Sequence, residues 1–113
     1  MAPQTDLVRD TLRRLAALGL KVSLTEVDAP IFPSTPMPLK EQATRVGSLV
    51  ESCLAVRRCR SVTFWNLRDD ESWLNNLFGR SDLAPTLFDA GLQRKPAYFA
   101  VRKELRRAAL RRP

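Results

Sequence analysis

The stretch LKVSLTEVD, residues 20–28, decides how this chain is read. Apolar and polar residues alternate along it, and a period of two puts Leu20, Val22, Leu24, Glu26 and Asp28 on one side of a strand. Lys21, Ser23, Thr25 and Val27 fall on the other side, so two acids end an otherwise apolar face. Upstream, Leu7, Val8, Leu12, Leu15, Ala16 and Leu18 recur at helical spacing from about residue 5 to 18, and Gly19 stands where a helix stop belongs. Downstream, residues 29–38 hold four of the chain's eight prolines, which remove backbone donors and predict an irregular loop.

Farther along, Ala43, Val46, Val50, Cys53 and Leu54 form a second helical stripe over about residues 39–56, weakened by Gly47, which costs about 1 kcal/mol relative to alanine. SVTFW, residues 61–65, reads as a second strand of β-branched and aromatic residues, and the polar NLRDDESW that follows suits a loop. The run from Trp73 to Arg94 is broken by Gly79, Pro85 and Gly91. Pro96 suits a first helical turn, and Tyr98, Val101, Leu105 and Ala108 continue at helical spacing. Helix, strand, helix, strand, helix, with crossovers long enough to carry a helix, predicts parallel βαβ units and an α/β fold. Parallel strands are normally covered on both faces, and two of them make no self-sufficient sheet, so the fold is expected to be incomplete.

At 113 residues, 44% hydrophobic and 27% charged, the chain is one globular domain at most, or part of one. No apolar run reaches the length of a membrane span, and the first twenty residues carry acids and arginines where a signal peptide is apolar, so neither a membrane nor export is indicated and the chain as expressed would be cytoplasmic. Nineteen Lys and Arg against twelve Asp and Glu give a net charge of +7. The excess lies at Arg57, Arg58 and Arg60 and in the tail, where Arg102, Lys103, Arg106, Arg107, Arg111 and Arg112 face only Glu104. Such a pattern fits either a small basic module for nucleic acid or an acidic partner, or a solvated helix face whose arginines complement the helix C-terminus. The sequence contains no histidine, which removes Ser-His-Asp and Cys-His nucleophiles and most zinc sites. Two cysteines alone make no metal site, and no cofactor is indicated.

Glu26 and Asp28 stand at the C-terminal end of a predicted strand, the edge where parallel α/β folds place reactive groups. They also fit a plain structural role, capping the following loop or pairing with an arginine. Trp65 and Trp73, eight residues apart around an acidic loop, present the aromatic faces that suit sugar rings, though core packing is the commoner fate of tryptophan. Cys53 and Cys59 are close enough in sequence for a turn to bring their Cα atoms into bonding range, and equally compatible with two free thiols.

SLTEVD, the Gln42-Ala43 pair, CLAVRRCRSVTFWNLRDDESWL, LFGRSDLAPTLFD and KPAYFAV together resemble the C-terminal third of glycoside hydrolase family 10, the retaining endo-β-1,4-xylanases. The resemblance runs over roughly residues 15–105, with 106–113 a basic tail. It implies an incomplete (β/α)8 TIM barrel, in which residues 20–27 are strand seven, 61–66 strand eight, and the three helices numbers six, seven and eight. Residues 1–113 are then one C-terminal fragment of the catalytic barrel. Glu26 matches the nucleophile of the family's TE-x-D motif, and Asp28 the second acid, which helps a histidine from strand six to orient that nucleophile. Trp65 and Trp73 match the aromatic pair around the sugar at the cleavage point, and Cys53 and Cys59 a pair that forms a disulfide in many secreted members. The implied substrate is xylan or a xylo-oligosaccharide, the implied partner is the remaining N-terminal part of the barrel, and the implied location is extracellular.

Three features depart from the family pattern. Asn66 stands where a glycine usually follows the first tryptophan, and Glu71 occupies a site more often aromatic or small. The acid/base glutamate belongs to strand four, outside these residues. A (β/α)8 barrel takes about 250 residues, and with only two strands the expected inward residues Leu20, Val22 and Leu24 lack an opposite wall. The chain alone is therefore expected to be marginally stable and inactive.

Overall fold

The computed structural model describes residues 3–111, in the order α1 (Pro3–Ala17), β1 (Val22–Val27), α2 (Leu39–Leu54), β2 (Cys59–Phe64), a single 3₁₀ turn (Asp69–Glu71), α3 (Trp73–Phe78) and α4 (Pro96–Arg111). Arg112 of the basic tail lies outside the described residues. The strands form a two-stranded parallel sheet, joined by α2 as the crossover helix. The α/β reading of the sequence is thus met, and the run after Trp73 holds one helix that the periodicity missed. That helix, α3, is short: Ser72 caps its start by accepting from the Leu74 N–H, and Gly79 ends it in the left-handed region at φ 61°.

The core lies between α2, α4 and one face of the sheet. Ala43, Val46 and Val50 of α2 meet Ala97 and Val101 of α4, with Val62 and Phe64 of β2 packed against them. Gly47, a weak point when α2 is read in isolation, is where the two helices come closest. A Cβ there would meet the Ala100 Cβ at 3.3 Å, tighter than an ordinary contact. α1 docks beside α2 through the Arg9–Glu51 ion pair at 2.8 Å and the buried Leu12.

The register of the sheet corrects the facing of β1. Val22 pairs with Cys59, Leu24 with Val62 and Val27 with Phe64, so one extra residue lies in β2 between the first two pairs and one in β1 between the last two. The extra residue in β1 coincides with Glu26, whose φ of 55° is left-handed. Because Val62 and Phe64 face the helices, their partners Leu24 and Val27 do too, and Glu26 is turned to the exposed side instead. Strict alternation had placed Glu26 with Val22 and Leu24, and had placed those two inside a barrel. In the structure Val22 and Leu24 line a groove with Leu12 and Leu15 of α1, while the open face carries the Ser23–Ser61 hydroxyl pair at 2.9 Å. Leu20 precedes the strand and is exposed.

Two long loops are fastened to this frame by buried polar groups. Gln42, 1% exposed within the apolar stripe of α2, donates through Nε2 to the Ala29 carbonyl at 2.8 Å and the Ala84 carbonyl at 2.7 Å. Lys95, 5% exposed, donates to the same Ala84 carbonyl at 2.9 Å and pairs with Asp69 at 3.0 Å. Asp69 also accepts from the backbone N–H and the hydroxyl of Thr86, at 2.8 and 2.7 Å. A disulfide joins Cys53 to Cys59 across a Cα–Cα distance of 5.2 Å, tying the end of α2 to the start of β2.

Three expectations follow for the purified chain. Lys95→Met leaves the Asp69 carboxylate without its buried cation and costs about 3–5 kcal/mol, read as the urea midpoint. Glu26→Gly removes the left-handed strain and adds about 1 kcal/mol on the same measurement, whereas Glu26→Val lowers stability. Alkylation without reductant adds nothing to the intact mass, and two adducts appear only after reduction.

Candidate active site

The candidate residues gather at the C-terminal edge of the sheet. β1 delivers Glu26 to the exposed side through its bulge and Asp28 one residue past the strand end. β2 runs parallel beside it, so its end delivers Trp65 to the same edge: the Trp65 N–H donates to the Val27 carbonyl at 3.3 Å, continuing the ladder. Trp73 starts α3 eight residues later, and the loop between folds it back over the end of β1. Its indole Nε1–H donates to Asp28 Oδ2 at 2.8 Å. Trp65 is 51% exposed and Trp73 47%, so neither indole is spent on the core. All four residues singled out from the sequence thus share one edge.

The loop between the tryptophans holds its shape through its own polar groups. Asn66 Oδ1 accepts the Trp73 backbone N–H at 3.3 Å, and Asn75 Nδ2 donates to the Asp69 carbonyl at 3.2 Å. Asn66 does not need a left-handed backbone, so no glycine is demanded there. Glu71 pairs with Arg68 at 2.6 Å and Asp70 with the same arginine at 3.2 Å, which answers the local excess of acids. Asp28 Oδ1 is buried and has no hydrogen-bond partner among the described residues. Asp28 also borders a cleft of about 280 Å³ lined by Val8, Val27, Met37 and Leu49, with Gln42 and Arg45 at its wall.

Chemically, the edge offers one exposed carboxylate, one half-buried carboxylate and two indole faces. The cluster of Arg57, Arg58 and Arg60 lies elsewhere: Arg57 and Arg58 precede β2 and Arg60 is its second residue, at the opposite end of the sheet from Glu26. Just past α3, a two-pronged hydrogen bond from Arg80 holds the Asp82 carboxyl below its ordinary value. Among the described residues no three His, Cys, Asp or Glu side chains group to hold a metal ion, and no helix is long and apolar enough to cross a membrane. Asp69, Lys95 and Gln42, which hold the loops of this edge in place, entered the sequence reading only as letters of the family pattern or of an acidic loop, with no role assigned to them. Their signal was a polar residue inside an apolar stripe for Gln42. Nothing local distinguishes Asp69 from its neighbours Asp70 and Glu71.

Known proteins are similar to this chain in sequence and in fold. The sequence pattern of Glycosyl hydrolase family 10 matches residues 1–104. Endo-1,4-beta-xylanase 2 of Aureobasidium pullulans is 33% identical over 106 residues, covering 93% of this chain and 29% of the relative. Among solved structures, native xylanase 10B from Thermotoga maritima superposes with a TM-score of 0.81 at 31% identity, over 96% of this chain and 34% of that one. Xylanase 10B from Thermotoga petrophila RKU-1, solved in complex with xylobiose, superposes with a TM-score of 0.78 at 31% identity, over 91% and 32%. The chain therefore spans about a third of the length of the relatives it matches. It belongs to glycosyl hydrolase family 10 and corresponds to the C-terminal part of that family's catalytic domain.

Proposed function

We propose that this chain supplies the nucleophile half of a retaining endo-1,4-β-xylanase site, with β1 and β2 as strands seven and eight of a (β/α)8 barrel. The observation that carries the reading is the placement of Glu26 at the strand edge beside two half-exposed indoles, one of them bonded to Asp28. Sugar rings present apolar C–H faces and polar rims, and indole faces flanked by carboxylates match both. Glu26 attacks the anomeric carbon and forms a glycosyl ester, which water then opens with net retention of configuration. Asp28 is the second acid of the pair, held half-buried behind the nucleophile. Trp65 and Trp73 seat the sugar whose bond is cut.

A retaining mechanism needs a second carboxyl group about 5–5.5 Å from the nucleophile, across the scissile bond, to protonate the leaving oxygen. The family takes that group from strand four. Without it the proton-transfer factor of about 10²–10⁴ is forfeited, and the sugar-binding contacts of the other strands go with it. The disulfide between Cys53 and Cys59 suits an oxidising, extracellular setting. The substrate class, xylan or xylo-oligosaccharide, follows from the relatives' names and the xylobiose complex of the Thermotoga petrophila enzyme.

The test joins the first two thirds of Thermotoga maritima xylanase 10B to this chain at the matched boundary. The chain alone leaves xylo-oligosaccharides intact. The joined protein cleaves them and releases the β-anomer first, by proton NMR. Glu26→Gln in the joined protein lowers kcat by about 10³-fold or more, as loss of a nucleophile does in other covalent mechanisms. Cleavage that survives Glu26→Gln, or cleavage by the chain alone, overturns the proposal.

A further inference from the structure

We propose that Asp28 and Asn66 are positioning residues that clamp Trp73 at two points, Asp28 at the ring edge and Asn66 at the backbone. The inference rests on the reading of Trp73 as part of the sugar platform and adds the device that holds it. Trp73 is the first residue of a helix of only six, and its side chain is 47% exposed, so packing alone does not fix its ring. The residue that anchors α3 in the interior is its neighbour Leu74, 7% exposed. A half-exposed indole held only through its Cα would sample several rotamers.

The two contacts remove that freedom. Asp28 Oδ2 accepts from the indole Nε1–H at 2.8 Å across 45 residues of sequence, a charge-assisted bond at the far end of the ring. Asn66 Oδ1 accepts the Trp73 backbone N–H at 3.3 Å, one of the donors that a helix start leaves free. Neither acceptor is loose. Asp28 sits between two backbone anchors, the Val27 carbonyl bonded by the Trp65 N–H and the Ala29 N–H bonded to the Pro85 carbonyl at 3.0 Å. Asn66 follows Trp65 directly. Trp65 is thereby referred to Val27 and Trp73 to Asp28, the two residues that directly follow Glu26, and the platform moves with the nucleophile's strand as one unit. Asp28 thus has a task toward the sugar platform, separate from any task toward Glu26.

The chain has two tryptophans, so its nitrogen–proton spectrum has two indole signals, assigned with Trp65→Phe. In the unaltered chain the Trp73 indole proton is expected downfield of the Trp65 one and to exchange about tenfold more slowly, the protection one such bond confers. Asp28→Ala moves it upfield and brings its exchange to the Trp65 rate, while Asp28→Asn, which keeps an oxygen acceptor, preserves the slow exchange. Asn66→Ala leaves the indole proton in place and speeds exchange of the Trp73 backbone N–H; Asn66→Asp restores it. Equal exchange of the two indole protons in the unaltered chain overturns the proposal, so the test does not depend on any variant folding. These measurements contain no sugar. In the joined protein, xylobiose is expected to shift both indole signals and to bind more weakly after Asn66→Ala but not Asn66→Asp. Failure of xylobiose to move either indole overturns the platform reading while the exchange result stands by itself.

Discussion

Everything at the functional edge hangs from the carbonyl of Ala84. Gln42 from α2 and Lys95 from the start of α4 both donate to it, at 2.7 and 2.9 Å, and Ala84 itself has a left-handed φ of 47°. A left-handed alanine is unfavourable by itself, on the order of 1–2 kcal/mol, and persists where its surroundings over-determine it. Here they do. Ala29 and Ile31 donate backbone hydrogen bonds to Pro85 and Leu83, so the loop leaving β1 lies against the loop leading to α4, with Leu83 and Pro85 fully buried beneath them. The same Lys95 carries Asp69, and Asp69 begins the turn that leads to Trp73. The loop after β1 and the turn that leads to Trp73 are thus tied to α2 and to the start of α4 through one carbonyl and one buried ion pair.

The sheet is a less complete structure than the layer that covers it. Helix-facing residues of both strands pair in register, Leu24 with Val62 and Val27 with Phe64: Val62 and Phe64 pack on the α2–α4 core, Val27 borders the cleft beside α2, and Leu24 lines the groove beside α1. The other face is hydroxyl-lined and open, with Ser23 bonded to Ser61 and Thr25 and Thr63 exposed. Small polar residues make a poor apolar core but a serviceable floor beneath a polar ligand, and they lead directly to Glu26 and Trp65. Leu7, Leu18 and Leu20 stand exposed on the α1 side, where β1 pairs with no further strand among the described residues. An unpaired parallel edge next to apolar side chains is unstable against further pairing. This matches a chain that spans about a third of its relatives' length.

Much of this was readable from residues alone, because the features that carry it are local or strictly spaced. The helices at α2 and α4, the stop at Gly19, the start at Pro96 and both strands follow from periodicity and punctuation. The shared edge of Glu26, Asp28 and Trp65 follows from the rule that parallel strands end together, whereas the place of Trp73 was implied only by the family resemblance. The readable part ended where a single residue breaks a period. No local signal marks Glu26 as the inserted residue, since a bulge is set by what the neighbouring strand needs. Gly47 looked like a defect because its reason, the Ala100 Cβ, is more than fifty residues away. Lys95 and Asp69, separated by 26 residues, become partners only after both loops have folded back.

The bulge at Glu26 follows from comparing two costs. If alternation held through residue 26, the carboxylate would enter the helix-covered layer with Val22 and Leu24, and Val27 would be turned out. Burying an unpaired carboxylate costs several kcal/mol after relaxation, and here it would be set against Leu12 and Leu15 of α1, which line the groove with Val22 and Leu24. Exposing Val27 would forfeit about 1.5–3 kcal/mol more. A left-handed residue costs on the order of 1–3 kcal/mol, less than the sum of the two it avoids. The extra residue therefore resolves a conflict between a core that needs Val27 beneath Phe64 and an edge that needs a carboxylate in the open. The strain is concentrated on the side chain that carries the strand's exposed carboxylate, and a residue better suited to that backbone, glycine, would bring no carboxylate with it.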